Sequence, residues 1–126
     1  MRQNKYYNIK TKASDGSVFD SRKEARRYSQ LLLLLKAGEI TNLQRQVEYE
    51  LIPNQYETYE RYSKSGKRLK DSKRLVERKV VYVADFVYKD KSGAVIVEDT
   101  KGVRTKDYIL KRKLMLHVHG IKISEV

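Results

Sequence analysis

Apolar residues recur at Ala25, Tyr28, Leu32 and Leu35, three and four positions apart, a spacing that lines one face of a helix. Ser21-Arg22-Lys23-Glu24 just ahead has the S-x-x-E form of a capping box, and Gly38 behind offers a left-handed stop without a Cβ penalty. The pattern predicts a helix over residues 21–37, with Arg22, Lys23, Arg26 and Arg27 on its other side. The period then changes to two. Leu43, Val47, Tyr49 and Leu51 alternate with Gln44, Gln46, Glu48 and Glu50, which predicts a strand with one buried face, ended by Pro53-Asn54. Residues 79–88 are rich in β-branched and aromatic side chains and read as a central strand. A turn at 89–93 and a returning strand at 94–100 make a hairpin. Thr105 is the expected N-cap of a second helix over 106–118, with Ile109, Leu110, Leu114, His117 and Val118 facing inward. Gly120 stops it, and 121–125 forms a short last strand. Ahead of all this, residues 1–19 are polar and basic, with Asp15-Gly16 as a turn between short β-like pieces. The order is α-β-β-β-α-β, and residues 1–126 are expected to form one domain with no internal repeat.

One stretch fits neither period. From Arg61 to Lys79 there are nine Lys/Arg against two acids, with Ser63, Ser65, Gly66 and Ser72 interspersed. Residues 54–79 therefore read as a basic insertion, either a mobile loop or a hairpin extension around Ser65-Gly66. The whole chain shares the bias: 28 Lys+Arg against 16 Asp+Glu give a formal charge of +12 over 126 residues. Such an excess points to an anionic polymer, with nucleic acid the leading partner and a merely soluble basic protein the plainer alternative. Arg61, Lys64, Lys67, Arg68, Lys70, Lys73 and Arg74 would track a phosphate backbone. Tyr56, Tyr59 and Tyr62 beside them would either stack on bases or simply edge amphipathic strands. The longest apolar run, Leu31–Leu35, is far short of a membrane helix, the first residues lack a signal-peptide stretch, and there is no cysteine. The expectation is a soluble, cytoplasmic protein with no membrane partner.

The candidate chemistry lies in the hairpin. Asp85 stands among Val83, Ala84, Phe86 and Val87, where an unpaired carboxylate costs several kcal/mol and calls for a cation. On the returning strand Val95, Val97, Asp99 and Lys101 share one face, and Ile96, Glu98 and Thr100 the other. The turn length brings Asp85 and Asp99 to neighbouring positions. Two carboxylates and a lysine at one sheet edge suit metal-assisted phosphodiester cleavage. Mg²⁺ takes oxygen ligands, polarises phosphoryl oxygens and activates water, while the lysine orients that water or stabilises charge on phosphorus. Glu24 is the candidate third acid, although its capping box explains it without catalysis. Glu98 replaces Asp99 as ligand if the strand carries a bulge. His117 and His119, two apart on a helix, are poorly placed to chelate and read as dipole partners or packing residues.

Asp85 followed by Asp99-Thr100-Lys101 resembles the P-D…(D/E)-x-K signature of the PD-(D/E)XK nuclease superfamily, with Ala84 where the signature has a variable proline. Residues 19–25, 38–46, 82–88, 97–102 and 111–114 resemble a phage-associated branch of small members, so that the likeness covers most of the chain outside 54–79. The resemblance implies a restriction-endonuclease-like α/β fold with a mixed central sheet flanked by helices. It implies Asp85 and Asp99 as metal ligands, Lys101 as the catalytic lysine, Glu24 as a helix-borne acid and metal ligand, and Gln46 as a residue facing the site. A basic residue of the second helix assists in several branches. Lys111 and Lys113 are the candidates, with Lys113 assigned to catalysis and Lys111 to DNA contact. The expected activity is Mg²⁺-dependent DNA cleavage, with Mn²⁺ able to substitute. The expected substrate is branched DNA, cut by a homodimer in the manner of a Holliday junction resolvase, in a bacterial cell hosting a phage or prophage. A catalytically silent DNA-binding accessory protein of phage replication or packaging is the alternative, and a nuclease directed at RNA is a third reading.

Overall fold

A computed structural model describes residues 10–19, 21–101 and 103–126; Asp20, Gly102 and the expectations for residues 1–9 lie outside the described residues. A short hairpin, β1 (Thr11–Lys12) and β2 (Val18–Phe19), leads into α1 (Arg22–Lys36). Ser21 caps α1 by accepting from the Glu24 amide at 3.1 Å, as the S-x-x-E pattern predicts. The buried face of α1 is not Leu32 and Leu35, however. Ala25 and Leu31 are buried, with Tyr28 and Leu34 packed beside them, whereas Leu35 is exposed. Five consecutive leucines satisfy any helical phase, so spacing alone could not choose the stripe.

The main sheet has four strands in the order β3 (Ile40–Ile52), β6 (Val80–Asp90), β7 (Val95–Asp99) and β8 (Ser124–Glu125), counting β4 (Gln55–Tyr62) and β5 (Arg68–Glu77) as the inserted hairpin. The first three are antiparallel, and β8 runs parallel to β7 after the crossover through α2 (Lys106–His119). The molecule is thus a mixed α/β fold with a mixed central sheet and two helices. One apolar cluster holds α1 residues with Phe86 and Tyr88; the other holds Tyr108 and Met115 of α2 with Tyr82, Ala84 and Val97. The two helices therefore cover opposite faces of the sheet. The tight turn before β7 is held by Asp90, whose carboxylate accepts from the amides of Ser92 and Ala94, with Gly93 at φ 84°.

Two strands change face part-way along. In β6, Tyr82 and Ala84 point to the α2 side, and Phe86 and Tyr88 to the α1 side. In β3, Leu43 packs on the α1 cluster, while Val47, Tyr49 and Leu51 pack on the other. The single buried face expected of this strand is thus divided between the two cores. The switch falls where Gln46, in the left-handed conformation at φ 51°, lies opposite Asp85.

α2 is capped by Thr105 and ends at left-handed Gly120, as expected, but its inward stripe is Tyr108 and Met115 with Leu114. Leu110, Leu116, His117 and Val118 are exposed, contrary to the inward face predicted for Leu110, His117 and Val118; apolar residues surround this helix and conceal its phase. His119 packs edge-on to Tyr49 and contacts the Glu50 carbonyl at 2.6 Å, a packing role.

Residues 54–79 form a hairpin, which settles the open choice between loop and extension. β4 (Gln55–Tyr62) pairs with β5 (Arg68–Glu77) in a sheet of its own. It continues from the ends of β3 and β6, where Ile52 pairs with Val80, and projects as an arm about 25 Å long.

Candidate active site

Asp85 sits at the face change of β6, half-buried, one position from the Phe86–Glu98 pair that fixes the β6–β7 register. Its Oδ2 accepts from both the amide and the hydroxyl of Thr100, each at 2.8 Å. Its Oδ1 faces the Gln46 amide at 3.4 Å, and the same nitrogen donates to Glu24 Oε1 at 3.1 Å. Glu24 is thus joined to Asp85 through an amide. Among the described residues no group of three or more His, Cys, Asp or Glu is arranged to hold a metal ion.

Asp99 ends β7 on the α2 side and is 2 % exposed. The Tyr82 hydroxyl donates to its Oδ2 at 2.5 Å. Oδ1 is buried without a hydrogen-bond partner and has only the Lys101 ammonium at 3.3 Å. Burial pushes the Asp99 carboxyl above the usual carboxylate value, and the Asp85 charge adds to this against the pull of Tyr82 and Lys101. The same burial raises the Tyr82 hydroxyl far above its ordinary value, and Asp99 reinforces the shift. Lys101 Nζ also lies 4.6 Å from the centre of the Tyr108 ring, and Lys23 donates to its carbonyl at 3.0 Å. Asp99 and Lys101 therefore share a face, as strand alternation predicts.

Glu98 goes the other way. Arg27 grips it with two hydrogen bonds, at 2.8 and 2.6 Å, and the Tyr88 hydroxyl donates to Oε2. A buried carboxylate so fully committed ties α1 to β7 and leaves Asp99 as the acid beside Asp85.

A cleft of about 390 Å³ opens over Asp85, lined also by Val18, Phe19, Glu24, Arg45 and Gln46. Arg45 was not legible as a site residue, because a regular strand would place it opposite Gln46. Tyr82, which holds Asp99, lies in the aromatic-rich central strand, and Thr100, which holds Asp85, falls by alternation on the face opposite Asp99, so neither pattern marks a site residue. Lys113 does not join this group. It lines a separate cleft with Arg112, Leu116, Lys122, Ile123 and Glu125, and Lys111 pairs with Asp107 at 3.5 Å. In the arm, Arg68 pairs with Asp71 at 3.0 Å and Arg74 with Glu57 at 2.5 Å, while Arg61, Lys64, Lys67, Lys70 and Lys73 have no ion pair among the described residues.

The family profile described as "Protein of unknown function (DUF1064)" matches residues 3–124. The chain belongs to this family. No curated protein and no solved structure matches it. Among the described residues of this DUF1064 protein, no helix is long and apolar enough to cross a membrane.

Proposed function

We propose that this DUF1064 protein is a metal-dependent endodeoxyribonuclease with a restriction-endonuclease-like core, selective for branched DNA and active as a homodimer. The observation that carries the reading is the convergence of Asp85, Asp99 and Lys101 at one end of the β6–β7 pair, where a buried Asp99 oxygen meets only the Lys101 ammonium, at 3.3 Å. An all-oxygen pair of carboxylates fits a hard divalent ion that keeps several waters, so Asp85 and Asp99 are the residues that would hold Mg²⁺ or Mn²⁺. When bound, such an ion supplies Lewis acidity toward a phosphoryl oxygen and lowers the pKa of water.

The chain's own residues do the rest. Thr100 fixes one oxygen of Asp85, leaving the other turned to Gln46 and the cleft. Tyr82 fixes one oxygen of Asp99 in the same way. Lys101, held beside Asp99, is placed to orient a water or stabilise charge on phosphorus. Gln46 and Glu24 position Asp85 from the α1 side. The basic arm supplies phosphate contacts without sequence readout, and the chain shows no helix-turn-helix or zinc-finger pattern, which favours recognition of DNA shape.

The test is incubation with four-way junction, flap, duplex and single-stranded DNA under Mg²⁺, Mn²⁺ or EDTA. Metal-dependent nicking, fastest on the junction and reduced by roughly 10²-fold or more in Asp85→Ala and Lys101→Ala, supports the reading. Binding without cleavage in every metal rejects it in favour of a DNA-binding accessory protein.

A further inference from the structure

Arg45 and Gln46 are consecutive strand residues, and both line the cleft over Asp85. A regular strand forbids this, since neighbouring side chains leave on opposite faces. The left-handed backbone of Gln46, at φ 51°, is what turns both to one side. The Arg45 guanidinium is stacked 3.8 Å above the centre of the buried Phe19 ring and 5.2 Å from that of Tyr28. Stacking fixes the plane of the group while leaving its N–H donors at its edge. Glu24 and Asp85 line the same cleft, yet Arg45 forms no ion pair with them or any other described residue. A rigid cation with free donors beside a carboxylate centre is a receptor for a two-oxygen anion.

We propose that Arg45 is a phosphate clamp, its stacked guanidinium gripping two nonbridging oxygens of one backbone phosphate in a nucleic-acid strand laid across the cleft. The inference rests on the nuclease reading for its substrate, and gives that reading a second anchor besides the Asp85–Asp99 centre. Phe19 and Tyr28 act as the platform that holds the fork in register with Asp85. A lysine at this position could neutralise charge but could not form the fork.

The experiment uses the full chain and a set of identical DNA junctions, each with one backbone phosphate replaced by a neutral methylphosphonate. Binding is measured with Ca²⁺, and cleavage with Mg²⁺. Wild type is expected to lose roughly tenfold to a hundredfold in affinity at one position near the cleft. Arg45→Ala should show the same loss on unmodified DNA and no further loss at that position, because the same contact cannot be removed twice. Arg45→Met and Arg45→Lys keep an aliphatic stem over Phe19, so matching melting temperatures separate the clamp from a folding role. Only Arg45→Lys should recover part of the affinity.

Wild-type affinity in Arg45→Ala and Arg45→Met, or a methylphosphonate profile in these variants like that of wild type, overturns the clamp. If wild type then still nicks DNA, the nuclease reading stands without it. If the position-specific loss appears and disappears as expected but nothing is nicked, the clamp stands and the nuclease reading falls.

Discussion

At the scale of single residues, the two acids at the end of β7 have opposite fates, and neighbours decide them. Glu98 is neutralised by the Arg27 fork and capped by Tyr88; Asp99 keeps an oxygen that faces only the Lys101 ammonium. Tyr88 carries a measurable signature of this arrangement. Burial, with help from the Glu98 charge, pushes its hydroxyl from 10.0 to about 12. The folded state therefore holds this proton more tightly than the unfolded chain does. Its stabilising contribution is whole below pH 10, declines as the unfolded tyrosine ionises, and is lost as pH rises through about 12. The full loss amounts to roughly 2–3 kcal/mol. Denaturant unfolding of wild type and Tyr88→Phe from pH 8 to 12 should show the stability gap between them narrowing by that amount above pH 10. A constant gap would mean that the Tyr88 hydroxyl does not donate to Glu98 in the folded state.

At the scale of elements, patterns that mark boundaries were more legible than patterns that mark faces. Ser21, Gly38, Thr105 and Gly120 each stop or start a helix through one backbone conformation or one side-chain acceptor, and each does so within a residue or two of the expected place. Faces depend on tertiary context. In α1 the leucine run hides which residues go in, and in β3 and β6 a local face change at Gln46 and Asp85 splits what alternation reads as one stripe. Parity puts Asp99 and Lys101 on one face and the turn length brings Asp85 beside them, whereas the face change hides Arg45 from alternation. Lys113 lines a separate cleft, and a helix rich in apolar residues gives no phase by which to aim a lysine. Two substitution series test these assignments. Leu31→Ala should cost about 2–5 kcal/mol, as a fully buried leucine, whereas Leu33→Ala, 69 % exposed, should stay within about 0.5–1 kcal/mol. Asn42, left-handed at φ 55° at the register shift of β3, should tolerate Gly but lose about 1–2 kcal/mol as Val. Equal effects of Leu31→Ala and Leu33→Ala would overturn the assignment of Leu31 to the buried face.

At the scale of the whole molecule, the formal charge of +12 resolves into separate parts. A third cleft, lined by Lys23, Arg26, Arg27 and Gln30, lies against Thr100, so cations stand close behind the aspartate centre. The arm holds another group, and its strands are exposed on both faces. A two-stranded hairpin of this kind gains little stability in isolation, so its sequence answers to something other than core packing. Its cations are not equivalent. Arg68 and Arg74 are already engaged by Asp71 and Glu57, and Arg74 also lies 4.9 Å from the Tyr59 ring; Lys64, Lys67, Lys70 and Lys73 are unpaired among the described residues. Only charges free to replace counterions contribute fully to the salt dependence of DNA binding. Replacing those four lysines with glutamine should therefore flatten the slope of log K against log salt by about 3–4. Arg74→Gln should change it by less than one, because releasing Glu57 offsets what the arginine gave. Melting temperature should barely move in the four-lysine variant, since the arm contributes nothing to either apolar core among the described residues. A wild-type slope in that variant would take DNA off the arm and place it on the cations behind the aspartate centre.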